Sequence, residues 1–149
     1  MIDDEAVNAL TNALVKNTQL RVLNLSGNHC VTATGWENFS TVLESPYSAL
    51  KRLILWGNSN NDDILIALAN SLANNNKLKQ LLVAVSNITC GWAAFSQVLC
   101  NSSSIIDTYR SNHTLEKLCE PGYEDGLPED LRSLLRLNRE KIVQAKQHP

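Results

Sequence analysis

Two of the three histidines, the four cysteines and a pair of adjacent aspartates are the residues of this chain whose chemistry could go beyond packing. His29 and His113 could hold a metal or relay a proton only if the fold brought them together. Cys30, Cys90, Cys100 and Cys119 stand in no CxxC pair, the spacing that zinc ribbons and redox sites use. Asp62 and Asp63 could serve as an acid–base pair. They open an apolar segment of helical period, however, where carboxylates favour the helix start, and Asp3 and Asp4 stand alike in an earlier segment. The glycines of "LSGN" (25–28) and "LWGN" (55–58) stand singly, with no GxxxxGK[ST] phosphate loop around them. No catalytic constellation emerges, and the expectation is a protein that is not an enzyme, with no metal site and no cofactor.

The elements that would position these residues are written as a repeat. "LRVLNLSGN" from Leu20 returns as "LKRLILWGN" from Leu50, as "LKQLLVAVSN" from Leu78 and, weakly, as "LEKLCE" from Leu115. The linking segments recur too: "DEAVNALTNALVKNTQL" (4–20) aligns with "DDILIALANSLANNNKL" (62–78), and "GWENFSTVL" (35–43) with "GWAAFSQVL" (91–99). A fixed period of this length marks stacked supersecondary units. Val7/Leu10/Leu14, Trp36/Phe39/Leu43, Leu65/Leu68/Leu72 and Trp92/Phe95/Leu99 each define one face of a helix. Trp36 and Trp92 are therefore expected in the core. Leu23/Leu25, Leu53/Leu55 and Leu81/Val83 alternate as in short strands with one buried face. Strands are expected near 22–26, 52–56, 80–84 and 117–119. On this layout the two histidines lie three units apart, about 14 Å or more, and Cys30 and Cys90 about 10 Å apart, beyond disulfide reach.

"NSSSIIDTYR" (101–110) reads as an insertion that lengthens the last turn, because "NHTL" (112–115) restores the turn of "NTQL" (17–20). A second register stays open, with Tyr109 as a strand residue and Asn112 in the place that Asn28 and Asn58 hold in the repeated phrase. "PGYEDGLP" (121–128) has linker composition. Beyond it, 129–147 reads as an amphipathic helix with Leu131, Leu134, Leu135 and Ile142 on one side. It is either a cap over the last unit's apolar end or a tail carrying Arg132, Arg136, Arg139 and Lys141 to a partner.

LxxLxLxxN followed by a full helix, in alternating units of about 28 residues, resembles the leucine-rich repeat proteins of the ribonuclease-inhibitor-like subtype. The resemblance covers roughly residues 2–120 and implies an α/β solenoid, with parallel strands on a concave side and helices on a convex side. It implies that Asn28 and Asn58 belong to a structural ladder whose amides satisfy the backbone of neighbouring turns. The chain opens inside a unit's helix, so it looks like a fragment of a longer array.

Outward-facing strand residues then line the concave face: Val22, Arg52 and Gln80 in one row, Asn24, Ile54 and Leu82 in the next, Trp56 and Ala84 in a third. Arg21, Lys51 and Lys79 form a basic edge. An aromatic anchor beside aliphatic residues with a basic rim suits a protein–protein hot spot. The alternative is that the insertion or tail folds over it. The expected function is a non-enzymatic module binding a protein or peptide, preferably acidic, on this face. The alternatives are a small-GTPase regulator like the Ran-GTPase-activating proteins, which share the repeat subtype, or a sensor segment of a larger receptor.

The bulk properties set the remaining expectations. With 149 residues, 44% of them hydrophobic, the chain can bury one core. A net charge of −2 argues against a nucleic-acid partner, and no apolar run reaches membrane-spanning length. The acidic start is not a secretory signal, and unpaired cysteines suit the cytoplasm or nucleus. The first strand has no earlier unit beside it, so self-association through that edge is expected.

Overall fold

The computed structural model describes residues 1–59 and 61–147, with side chains through Lys141, so the expected contacts of Ile142 lie outside the described residues. Strands β1 (Val22–Asn24), β2 (Arg52–Ile54) and β3 (Gln80–Leu82) form a parallel sheet in that order. Helices α1 (Asp4–Leu14), α2 (Ala33–Glu44), α3 (Asp62–Ser71) and α4 (Gly91–Leu99) alternate with them, and α5 (Ile105–Arg110) and α6 (Glu129–Gln147) follow. The register sets Leu23 beside Leu53 and Leu53 beside Leu81. These leucines face the helices and pack with Trp36 and Phe39 of α2, Leu65 and Leu68 of α3, and Trp92 and Phe95 of α4.

Local chemistry starts and stops each element. Asp3 Oδ1 accepts from the Ala6 N–H at 3.0 Å and caps α1; Asn61 Oδ1 accepts from the Ile64 N–H at 3.0 Å and caps α3. After the helices, Asn17, Asn75 and Asn112 each accept two backbone N–H groups and fold the chain back toward the sheet. Their partners extend across units. The Asn75 amide donates to Leu43 O, the Asn112 amide to Leu72 O and Asn75 O, and the Asn138 amide of α6 to Asn112 O and Leu115 O. Asn75, Asn112 and Asn138 are all buried. They form a spine of amides along the helix-to-strand turns.

Several expectations need correction. The strands are three residues each, because the backbone bends toward Gly27 and Gly57, whose φ values are +73° and +69°. Pairing outlasts the strand geometry: the Leu25 and Gly27 N–H groups still donate to Ile54 O and Trp56 O. The fourth stretch is reduced to a bridge between Gln80 and Lys117, since the chain then turns away through Pro121 and Gly122, with φ +91° at the glycine. Residues 105–110 are helical rather than a plain lengthened turn, with Ser104 Oγ accepting from the Asp107 N–H as N-cap. Tyr109 lies in that helix and Asn112 in the turn after it, which removes the second register. The four-stranded solenoid is replaced by a three-stranded sheet with six α-helices among the described residues, α6 packing on α4 at the C-terminal side.

Candidate functional site

The N-terminal ends of the strands are joined by a repeated backbone pattern. Arg21 O accepts from Lys51 N and Arg52 N at 2.8 and 3.0 Å, and Lys51 O from Lys79 N and Gln80 N at 2.9 and 3.0 Å. Lys79 O accepts from Glu116 N and Lys117 N at 2.7 and 3.2 Å. Arg21, Lys51 and Lys79 therefore stand in file, about 4.8 Å apart. Lys77 joins them, and the Lys51 ammonium is pushed below its ordinary range, first by partial desolvation and then by Lys77, Arg21 and Lys79. At the fourth position the sign reverses, and the Lys79 ammonium donates to Glu116 Oε1 at 2.8 Å. The result is a basic ridge that ends in an ion pair.

The sheet face opposite the helices is divided. On its β1 side Val22 is 54% exposed, and Asn24 is exposed with Oδ1 accepting from the Ser26 N–H and hydroxyl. Arg52, Ile54, Trp56, Gln80 and Ala84 are half-buried, and Leu82 is buried. Residues 120–127 roof the β3 side. Tyr123 packs on Trp56 with ring centroids 4.9 Å apart and planes tilted by 58°. Arg52 pairs with Glu120 at 3.5 Å, and Leu127 is buried. Gly126 sits so close to Val85 that an added Cβ would lie 2.9 Å from the valine Cβ. Leu82 is buried and out of a partner's reach, and Trp56 presents only part of its ring. The segment that reads as a linker by composition carries the residue, Tyr123, that covers Trp56.

Asn28 and Asn58 lie in the loops after β1 and β2. The Asn58 amide donates to Leu25 O and Leu55 O at 3.0 and 2.8 Å, and its Oδ1 accepts from the Asn28 N–H at 2.6 Å. Asn28 repeats the pattern, donating to Leu25 O and accepting from the Ile2 N–H.

Asp4 and Asp62 do something that helix-start reasoning missed. Each reaches from its own helix to the start of the next: Asp4 accepts from the Thr32 N–H and hydroxyl, Asp62 from the Thr89 N–H and hydroxyl and the Gly91 N–H. The Thr89 hydroxyl, with the Gly91 and Thr89 amides, holds the Asp62 carboxyl well below the usual carboxylate range. Gly35 and Gly91 make room, since an added Cβ at Gly91 would lie 2.9 Å from Asp62 Oδ1, and one at Gly35 would strike Asp4. The recurring "GW" thus combines a carboxylate approach with a core indole. The 58-residue spacing of Asp4 and Asp62 was the available clue.

His29, His113, Cys30 and Cys90 are exposed, Cys100 is half-buried and Cys119 buried. Among the described residues no group of three His, Cys, Asp or Glu side chains could hold a metal ion. No described helix is long and apolar enough to cross a membrane.

The chain superposes on leiomodin-1 actin-binding site 2 with a TM-score of 0.77 and 20% identity, covering 98% of this chain and 79% of that one. It also superposes on the tropomodulin C-terminal domain of Caenorhabditis elegans with a TM-score of 0.60 and 10% identity, covering 99% of this chain and 100% of that one. No protein-family model and no curated protein matches the chain. The fold is therefore shared with these two domains. The assignment to ribonuclease-inhibitor-like leucine-rich repeat proteins, and to a fragment of their longer arrays, is corrected accordingly: helices around a small sheet, matched over nearly the whole chain by these domains, replace the solenoid.

Proposed function

We propose that this chain is a non-enzymatic protein-binding domain whose partner is actin. The observation that carries the reading is the superposition, over 98% of the chain, on a leiomodin domain that is itself an actin-binding site. The basic ridge of Arg21, Lys51, Lys77 and Lys79 supports it, because a file of like charges at the end of a sheet favours an acidic protein surface and speeds its encounter. Val22 and Asn24, open beside the ridge, extend the contact area, and Arg52, Ile54, Trp56, Gln80 and Ala84 contribute where the roof leaves them accessible. A cytoplasmic location follows from such a partner.

Fluorescence anisotropy with labelled monomeric actin, and co-sedimentation with filaments, test the reading. Saturable binding that weakens with salt and with Lys51→Glu is expected. Absence of binding to both forms of actin would overturn it. So would acceleration of GTP hydrolysis by a small GTPase without actin binding, which would return the regulator alternative.

A further inference from the structure

The last helix-to-strand turn carries large apolar side chains that the fold does not use. Residues 101–111 leave α4 and return toward the sheet as a closed loop with α5 in it. Polar groups tie its base: Asn101 N donates to Ser111 Oγ, Thr108 Oγ1 to Asn101 O and Asn112 N to Val98 O, each at 2.8 Å. The buried Asn112 then fixes the loop to the preceding turn through Leu72 O and Asn75 O. No side chain of α5 is buried. Ile105 is 90% exposed, Tyr109 84% and Ile106 62%. Ile105 and Tyr109 stand four residues apart, hence on one side of the helix, with Ile106 beside them. Single exposed apolar residues are ordinary, but three within one short helix form a patch of the kind that marks an interaction surface.

This patch shares an edge of the molecule with the basic ridge. The ridge lies where the strands begin, and α5 lies in the turn that leads from α4 to Glu116, the partner of Lys79. Lys77 belongs to the neighbouring turn, which Asn112 joins through Asn75 O. Lys51, Lys77 and Arg110 make no ion pair among the described residues. Asp107 is occupied at the start of α5, where its carboxylate accepts from the Ser104 hydroxyl at 2.7 Å.

A file of like cations steers an acidic surface and speeds its approach, whereas binding energy concentrates in a few apolar or aromatic anchors freed from water. The sheet face supplies little of this, since Leu82 is buried and Tyr123 lies on Trp56. The α5 patch can supply it. We propose that α5 is the apolar anchor of the actin interface, with Ile105, Ile106 and Tyr109 entering an apolar recess of actin whose rim presents carboxylates to Lys77 and Arg110. The proposal rests on the actin reading above and adds to it the residues that set affinity and the kind of surface they meet. Because polar ties hold the loop before any partner arrives, little ordering is left to offset the contact.

The test repeats the anisotropy and co-sedimentation titrations with the full chain carrying Ile105→Ser and Tyr109→Ser together. Affinity for actin should fall by about tenfold or more with its salt dependence unchanged, whereas Lys51→Glu should reduce the salt dependence. Ile105→Leu with Tyr109→Phe should retain the parent affinity; a loss there equal to that of the serine variant would remove the apolar contact from the explanation. Melting curves should match the parent's, because no α5 side chain is buried. If the serine variant nevertheless melts early, amide exchange over residues 105–110 of the parent chain decides, and it should slow when actin is bound. Actin binding indifferent to the serine variant, or no added protection over 105–110, would overturn the anchor and leave the actin reading standing. Absence of actin binding by the parent chain would overturn both. Binding to vesicles of phosphatidylserine and phosphatidylcholine that the serine variant abolishes, with actin affinity unchanged, would overturn the proposal and give the patch to a membrane. Self-association abolished in the same way would give it to a second copy of this chain.

Discussion

Asn58 joins two turns of backbone with one amide group, and its replacement should be felt well beyond its size. Asn58→Ala leaves the buried carbonyls of Leu25 and Leu55 and the Asn28 N–H without that partner. The expected cost is about 1–3 kcal/mol in a denaturant titration. Asn76→Ala, at an exposed position with no side-chain hydrogen bond among the described residues, should leave the midpoint unchanged; equal losses would contradict the account. Cysteine reactivity should divide as sharply. Burial, and then Glu124 and Glu120, push the Cys119 thiol up to about 11, while Cys30 and Cys90 are exposed. With iodoacetamide at pH 8, Cys30 and Cys90 should be modified first and Cys119 only on unfolding, and early modification of Cys119 by mass spectrometry would show that the roof opens readily. At this scale Asn58 could be read from the sequence because Asn28 stands at the same place in the repeated phrase. Asn138 could not: it sits alone among polar residues of an amphipathic helix, and only the fold brings it to Asn112 O and Leu115 O.

Helices α3 and α4 are tied at their N-terminal ends by Asp62, and this tie should make stability depend on pH. The folded Asp62 carboxyl titrates well below its unfolded value of about 3.9. Its contribution is therefore complete above that value and is lost as pH falls below it toward the folded value. Asp62→Asn should lower the melting temperature at pH 7, and the gap to the parent chain should narrow as pH drops below about 4; a constant gap would remove the charge from the explanation. Gly91→Ala separates packing from propensity. Helix propensity favours alanine, but the new Cβ would lie 2.9 Å from both Asp62 Oδ1 and Leu65 Cβ. A loss of about 1–3 kcal/mol is expected from overpacking, and a gain in thermal unfolding would show that the two helices part easily. Helices α1 to α4 and the centres of the three strands were legible because their periods of 3.6 and 2 persist through each unit. The end of the sheet was not. "LEKLCE" keeps the leucine spacing of a strand, yet the turn at Pro121 and Gly122 takes the chain over the sheet face before a strand can extend. The roof over Trp56 depends on a contact between residues 56 and 123 that no local pattern encodes.

The two ends of the molecule are finished differently, and that difference predicts its behaviour in solution. At the C-terminal side α6 lies next to α4, buries Leu131 and Leu135, and anchors itself through Asn138. At the other side α1 packs on α2, with Ile2, Leu10 and Leu23 only partly buried, and β1 has no neighbour on its outer edge among the described residues. The Leu25 N–H donates to β2. Since backbone groups alternate in direction along a strand, those of Val22 and Asn24 point outward. An unpaired edge beside apolar side chains is a template for another chain. The purified 149-residue chain should accordingly associate with itself as concentration rises, seen as a growing weight-average mass in sedimentation equilibrium. Val22→Pro supplies the specific check. Proline is tolerated at the first residue of an edge strand, and here it removes an outward N–H without touching the ladder to β2. The variant should stay monomeric with a melting curve close to that of the parent chain. Association that persists unchanged in Val22→Pro would place the contact elsewhere, and a monomeric parent chain at high concentration would mean that α1 and the N-terminal residues already protect this edge.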